Sequence, residues 1–152
     1  MRIWGMMLIK TRGVCMRLWH YKLISVLPNK LLVSQWRECI AIKRQWEKGT
    51  LKHRLVSYVM NYDKNYFLSY VVNILCEFIN REIKYQDKYF EEIIEFCNEH
   101  GKNKTYDFDY YSEHNDRYLK QCFYNLQEKY DRGIITKKEY DLIYQVAKDY
   151  LN

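Results

Sequence analysis

The sequence predicts an all-α fold, a single compact domain of about five helices. Three observations predict it. Apolar residues recur three and four apart through most of the chain. No stretch alternates apolar and polar residues long enough to require a strand. Helix punctuation falls between the apolar-periodic stretches: Pro28, Gly49, Gly101, Gly133 and the Thr136–Glu139 pair.

The elements follow in order. Pro28 opens the first helix, where its missing N–H is an orphan in any case. Leu31, Leu32, Gln35, Trp36 and Cys39 then keep helical spacing to about Arg44, and Gly49-Thr50 marks the break. A linking segment carries Lys52, His53 and Arg54, then Val56, Tyr58 and Val59. The second helix is expected from about Lys64 to Lys84, on the stripe Phe67, Tyr70, Val71, Ile74, Leu75 and Phe78. The third spans about Asp87 to His100 and stops at Gly101. A polar, aromatic loop with Tyr106, Phe108, Tyr110 and Tyr111 follows. The fourth helix starts near Asn115 or Asp116 and ends before Gly133. Thr136-Lys137-Lys138-Glu139 reads as a capping box opening a fifth helix that runs to the C-terminus.

Composition bounds the function. A chain of 152 residues is one domain's worth. A net charge of +6 with a pI near 9.0 suits an anionic partner, most simply nucleic acid, and suits solubility equally well. Sixteen Tyr and four Trp, interleaved with Lys and Arg, fit base stacking, although most are expected in helix packing. The five cysteines are odd in number, widely spaced and without a C-x-x-C pair, which argues against a zinc ribbon or a disulfide framework and for reduced thiols in a cytoplasmic protein. No run reaches membrane-spanning length, and Met1–Ile9 lacks the cleavage site of a secretory signal.

The stretch Met16-Arg17-Leu18-Trp19-His20 together with Gln35-Trp36-Arg37-Glu38-Cys39 resembles the pyrimidine-dimer DNA glycosylases of the phage endonuclease V type, in particular a bacterial branch with this Met-Arg-Leu-Trp-His start. Two further islands carry the resemblance, Tyr62-Asp63-Lys64 with Phe67-Leu68, and Ser112-Glu113-His114-Asn115-Asp116 with Tyr118–Cys122 and Asn125-Leu126. It covers about Met16 to Lys129.

The resemblance implies an endonuclease V-like helical domain over 16–152, with 1–15 as an extension before a start at Met16. It implies a DNA repair enzyme, a DNA glycosylase with AP lyase activity on pyrimidine dimers or abasic sites in damaged double-stranded DNA. In the family the nucleophile is an N-terminal α-amine, which displaces the base at C1′ and forms an imine; a glutamate stabilises the cationic sugar. An α-amine titrates near neutrality, at about 7.7–8.0, so a useful fraction is unprotonated. Glu38 matches that glutamate, and Arg17, 21 positions before it, falls where the amine-bearing residue belongs. If translation starts at Met16, the bulky Arg17 keeps Met16 in place and the amine sits on Met16 itself.

Arg37 matches an arginine used near phosphate and the acid. Lys43, Arg44, Lys52, His53 and Arg54 read as a phosphate-contacting run, with Lys64 as a further backbone contact. Each of these cations reads equally as a solvated surface charge. His20 is expected as a polar group beside the acid. No metal or other cofactor is expected, since paired-His helix spacing and H-E-x-x-H are absent. A monomer is expected, with no membrane association. Two alternatives stay open: a non-catalytic helical DNA-binding protein on the same scaffold, and a helical protein-interaction module using the Tyr106–Tyr111 aromatics.

Overall fold

The structure, a computed structural model, describes residues 16–98 and 110–152. Five α-helices account for most of these residues, and no strand occurs among them. They are α1 (Asn29–Glu47), α2 (Lys64–Asn80), α3 (Asp87–Cys97), α4 (Asp116–Asp131) and α5 (Lys137–Ala147). Short 3-10 turns at Tyr21–Val26, Ser57–Asn61 and Lys148–Tyr150 supplement them. The expected extension at 1–15 and the aromatic loop positions Tyr106 and Phe108 lie outside the described residues.

Local chemistry sets the helix starts. Pro28 precedes α1, and its carbonyl accepts from the N–H groups of Leu31 and Leu32. Asp63 caps α2 by accepting from the Asn65 N–H, and Asn115 caps α4 through the Tyr118 N–H. Thr136 and Glu139 form the reciprocal capping box of α5.

Three helices end in the same way. The α1 end has Gly49 in the left-handed region (φ 72°), with Gly49 N–H donating to Trp46 O and Thr50 N–H to Gln45 O. The α4 end repeats this with Gly133 (φ 75°). At α2 the left-handed residue is Glu82 (φ 58°), with Glu82 N–H donating to Ile79 O and Ile83 N–H to Phe78 O. Each is a Schellman closure, which satisfies carbonyls that the helix leaves unpaired. The second helix therefore ends at Asn80, four residues short of the expected Lys84, because Glu82 takes the position that glycine signals elsewhere. The third helix ends at Cys97, before the expected His100, which lies outside the described residues together with Gly101.

The core joins these elements. α1 packs on α2 and α3, α4 packs on α5, and the Tyr21–Val26 turn rests on α2 and α5. Fully buried side chains include Leu18, Leu23, Ile24 and Leu27 from the N-terminal segment, Leu32 and Ile42 of α1, and Phe67, Ile74 and Phe78 of α2. The segment before α1 is therefore part of the core and cannot move independently of it. Arg81, at the end of α2, donates to the carbonyls of Ile24, Ser25 and Leu27 and to Asn29 Oδ1, and pairs with Glu77 at 2.8 Å. It ties the Tyr21–Val26 turn and the start of α1 to α2. None of the described cysteines forms a disulfide.

Candidate active site

The site forms where the segment 16–20, which has no regular secondary structure, meets α1. Gln35 and Glu38 are three apart on that helix and so face the same way. Gln35 is fully buried, and its side-chain Nε2 donates to the Arg17 carbonyl (2.9 Å) and to Glu38 Oε2 (2.9 Å). Its Oε1 accepts from the Trp19 N–H (2.7 Å) and lies 3.0 Å from the Tyr70 hydroxyl, whose single proton it shares with Trp19 O. Two tyrosines complete the clamp: Tyr70 of α2 donates to Trp19 O (2.6 Å), and Tyr118 of α4 donates to Leu18 O. Three consecutive carbonyls, of residues 17, 18 and 19, are thus each held by a side chain from a different helix.

Glu38 is half-buried, and burial raises its carboxyl to about 7 from an ordinary value near 4.5. The backbone N–H of Arg17, the Arg17 guanidinium, the Gln35 amide and Lys129 of α4 partly offset that rise. Arg17 and the Glu38 carboxyl are thus neighbours, bridged by the Gln35 amide that donates to both. An acid held near 7 can both donate and accept a proton at neutral pH. The Arg17 guanidinium also lies over the Trp19 ring, 5.3 Å from its centroid.

Beside this pair an open groove of about 400 Å³ is lined by Arg17, Leu55, Tyr118, Gln121, Tyr124 and Asn125. Leu55 and Tyr124 are exposed at its walls. Leu55 follows Lys52 and Arg54 in the chain, both exposed, so the loop carrying those cations forms one wall. The wall opposite belongs to α4, whose Gln121, Tyr124 and Asn125 supply amide and aromatic groups.

The expected site residues divide into groups. Arg17 and Glu38 come together, with half-buried Met16 immediately before them. Arg37 is exposed on α1. Lys52 and Arg54 are exposed at the groove loop, while His53 between them is half-buried with its Nδ1 in no hydrogen bond. Lys43 does not fit the phosphate-contact expectation. It is only 7% exposed, and its ammonium pairs with Glu47 (2.7 Å) and lies 4.0 Å from Glu92. Its neighbour Arg44 is exposed but shares Glu92 at 3.4 Å and lies over the Tyr89 ring. Lys64 is half-buried, with its ammonium 3.9 Å from the Phe96 ring centroid and donating to Phe96 O.

His20 belongs to a buried aromatic cluster, its ring 5.3 Å from His114 and 4.7 Å from Tyr21. Its Nδ1 accepts from the Lys22 N–H, and the nearby backbone of His114 and Asn115 partly offsets the effect of burial on the ring. His114 accepts from the Tyr21 N–H through Nδ1, so its Nε2 carries the proton and donates to Tyr58. Burial keeps both rings neutral, lowering His20 to about 4 and His114 to about 3. Among the described residues no group of three His, Cys, Asp or Glu is placed to hold a metal ion.

Gln35, Tyr70 and Tyr118 are the groups that sequence reasoning did not assign to the site. Gln35 carried a legible signal, since it is the polar member of the stripe Leu32, Gln35, Trp36, Cys39 that faces the core. A buried amide requires partners. Tyr70 and Tyr118 carried none, because their apolar rings sit on helical stripes like ordinary core aromatics.

The site thus sets a helix-borne acid, raised toward neutrality, beside the backbone of residues 17–19 in an all-α domain. The family described as pyrimidine dimer DNA glycosylase matches residues 16–91, half of the chain, and the chain belongs to that family. Searches of curated proteins and of solved structures returned no match. The matched span takes in Arg17, Gln35, Glu38, the groove loop and Tyr70. No helix among the described residues is long and apolar enough to cross a membrane.

Proposed function

We propose that this protein excises pyrimidine dimers from duplex DNA and then cleaves the strand, using the α-nitrogen of residue 17 and the carboxyl of Glu38. The observation that carries the reading is that one buried amide, Gln35 Nε2, holds both the Arg17 backbone and the Glu38 carboxyl at 2.9 Å. In the chain as written the residue 17 nitrogen is acylated by Met16, and Arg17 disfavours removal of Met16 after a start there, so the nucleophile is the α-amine of Arg17 where cleavage exposes it and of Met16 otherwise. An amine on Met16 would lie one residue further from the acid.

The chemistry balances without a metal or a redox partner. The amine attacks C1′ of the deoxyribose, the N-glycosidic bond breaks, and the base leaves with its bonding pair and takes up a proton. Loss of the amine proton and opening of the sugar ring give an imine. Glu38, ionised in part near pH 7, stabilises the cationic sugar and moves the proton. Removal of a C2′ proton then expels the 3′ phosphate by β-elimination, and water hydrolyses the imine.

The groove beside Arg17 supports the same reading. Reaching C1′ in a duplex requires distortion and extrusion of a nucleotide. A volume of about 400 Å³ with tyrosine rings and side-chain amides suits an unstacked base. Lys52, Arg54 and Arg37 are our phosphate contacts, and exposed Leu55 is of the type that wedges between base steps. The test is strand cleavage of dimer-containing and abasic duplexes. Chain beginning at Arg17 is expected to cleave both, and Glu38→Gln is expected to abolish cleavage while retaining binding. Salt-sensitive binding without cleavage at either chain start would favour the alternative, a DNA-binding scaffold without the chemistry, for which the acylated nitrogen speaks.

A further inference from the structure

We propose that Gln35 is a positioning residue of this reaction: its buried side-chain amide locks the register of residues 17–19 on α1 and so sets the separation between the residue 17 nitrogen and the Glu38 carboxyl. The inference rests on the glycosylase reading for its catalytic consequence, but the clamp stands on geometry of its own.

The orientation of the amide is fixed by chemistry. The Trp19 N–H can only donate, so it must face Oε1; the Arg17 carbonyl can only accept, so it must face Nε2. Both N–H groups of Nε2 are then used, one on Arg17 O and one on Glu38 Oε2. Oε1 accepts the Trp19 N–H and a share of the one Tyr70 proton, which goes mainly to the nearer Trp19 carbonyl. The side chain is 0% exposed, so none of these bonds exchanges freely with water.

Three consequences follow from one amide. Arg17 O and Trp19 N–H, two residues apart, meet the two ends of one amide and so face the same side of the segment, as groups two apart do on extended backbone. A slip by one residue would present the wrong edge to Gln35 and leave a buried donor unpaired, at substantial cost. Gln35 therefore selects residue 17, rather than 16 or 18, to face the acid. Its second N–H holds the carboxyl oxygen of Glu38 one helical turn away. The same N–H favours the ionised form of Glu38 and limits the rise that burial causes. An apolar residue of equal length at position 35 would pack but would do none of this.

Gln35→Met keeps length and volume without donor or acceptor. Gln35→Glu keeps the acceptor half, facing Trp19 and Tyr70, and replaces the donor half by a second acid beside Glu38; it serves if Gln35→Met does not fold. Carboxyl titration of Glu38 by carbon NMR in the full chain, assigned with Glu38→Gln, gives the readout independent of catalysis. The groups facing Glu38 are Arg17 and Gln35, together with Lys129 of α4, and the first and last are unchanged in the variants. Both variants are expected to raise the Glu38 midpoint by about half a unit or more. On the chain form that cleaves abasic duplex, kcat is expected to fall at least about tenfold with KM within about threefold, since the loss is of alignment rather than of binding. An unmoved Glu38 midpoint, or unchanged kcat in a folded variant, overturns the proposal. A shifted midpoint in a protein whose parent cleaves no DNA overturns the glycosylase reading and upholds the clamp.

Discussion

Glu38 is ionised at neutral pH only against the resistance of its surroundings, and the consequence is measurable apart from any reaction. Its folded value of about 7 exceeds its ordinary value near 4.5, so the folded state holds a proton that the unfolded chain releases across that window. Stability from this group is complete below pH 4.5 and is lost as pH rises through 7. Glu38→Gln removes the ionisation. It is expected to stabilise the fold by about 1–3 kcal/mol at pH 8 and by little at pH 4.5, while abolishing strand cleavage. Urea unfolding at the two pH values checks the first half, and a cleavage assay checks the second. An acid kept at a cost to stability is what the proposed role of Glu38 requires, a trade of function against stability. The resemblance of the Gln35–Cys39 motif made Glu38 legible in the sequence, whereas its partners were not, because a hydroxyl at the tip of Tyr70 or Tyr118 reaches a carbonyl that only the folded chain brings near.

At the scale of elements, the helix starts were legible and the ends of α2 and α5 were not; α5, expected to run to the C-terminus, ends at Ala147 and gives way to the Lys148–Tyr150 3-10 turn. Asp63, Asn115 and Thr136 announce α2, α4 and α5 because their side chains satisfy N–H groups within three residues. Gly49 and Gly133 announce the ends of α1 and α4, since left-handed backbone favours glycine. Glu82 carries the same conformation without that signal, and Ile83 beyond it looks like one more residue of the apolar stripe, which is why α2 reads four residues too long. The 3-10 turn at Tyr21–Val26 was also hidden, being six residues held largely by tertiary packing. Its anchor is Arg81. Arg81→Met is expected to lower stability by about 2–4 kcal/mol, measured as a urea midpoint, because three carbonyls and Glu77 lose a shared cation. Lysine at the same position should not restore it, since one ammonium cannot span the fork of acceptors.

The whole molecule combines these terms in its response to pH and salt. His20 and His114 are neutral in the fold down to about pH 4 and 3, while the unfolded chain protonates both below about 6.5. Their contribution is complete above pH 6.5 and is lost as the pH falls through the folded values. Glu38 has the opposite slope between 4.5 and 7. Near pH 5.5 the net difference is expected to be about one proton, rising to about two in Glu38→Gln, so the variant's unfolding free energy should fall more steeply with acid. Denaturant titrations across pH 4.5–6.5 read this directly. The basic face is tested by salt: replacing both Lys52 and Arg54 by alanine is expected to weaken duplex binding regardless of sequence and to reduce the log–log salt slope by about 2. The composition suited an anionic partner and plain solubility alike and did not tell exposed cations from structural ones, because Lys43 has the same charge and is spent within the fold on Glu47 and Glu92.

The account turns on a single atom, the nitrogen of residue 17. Borohydride reduction of a mixture of abasic duplex and chain beginning at Arg17, followed by mass mapping of the adduct, interrogates it most directly. The account predicts one covalent product carrying deoxyribose on the Arg17 α-nitrogen, lost in Glu38→Gln and absent when residue 17 is acylated by Met16. An adduct on a lysine side chain, an equal yield from the acylated chain, or no adduct from a chain that binds the duplex would contradict it.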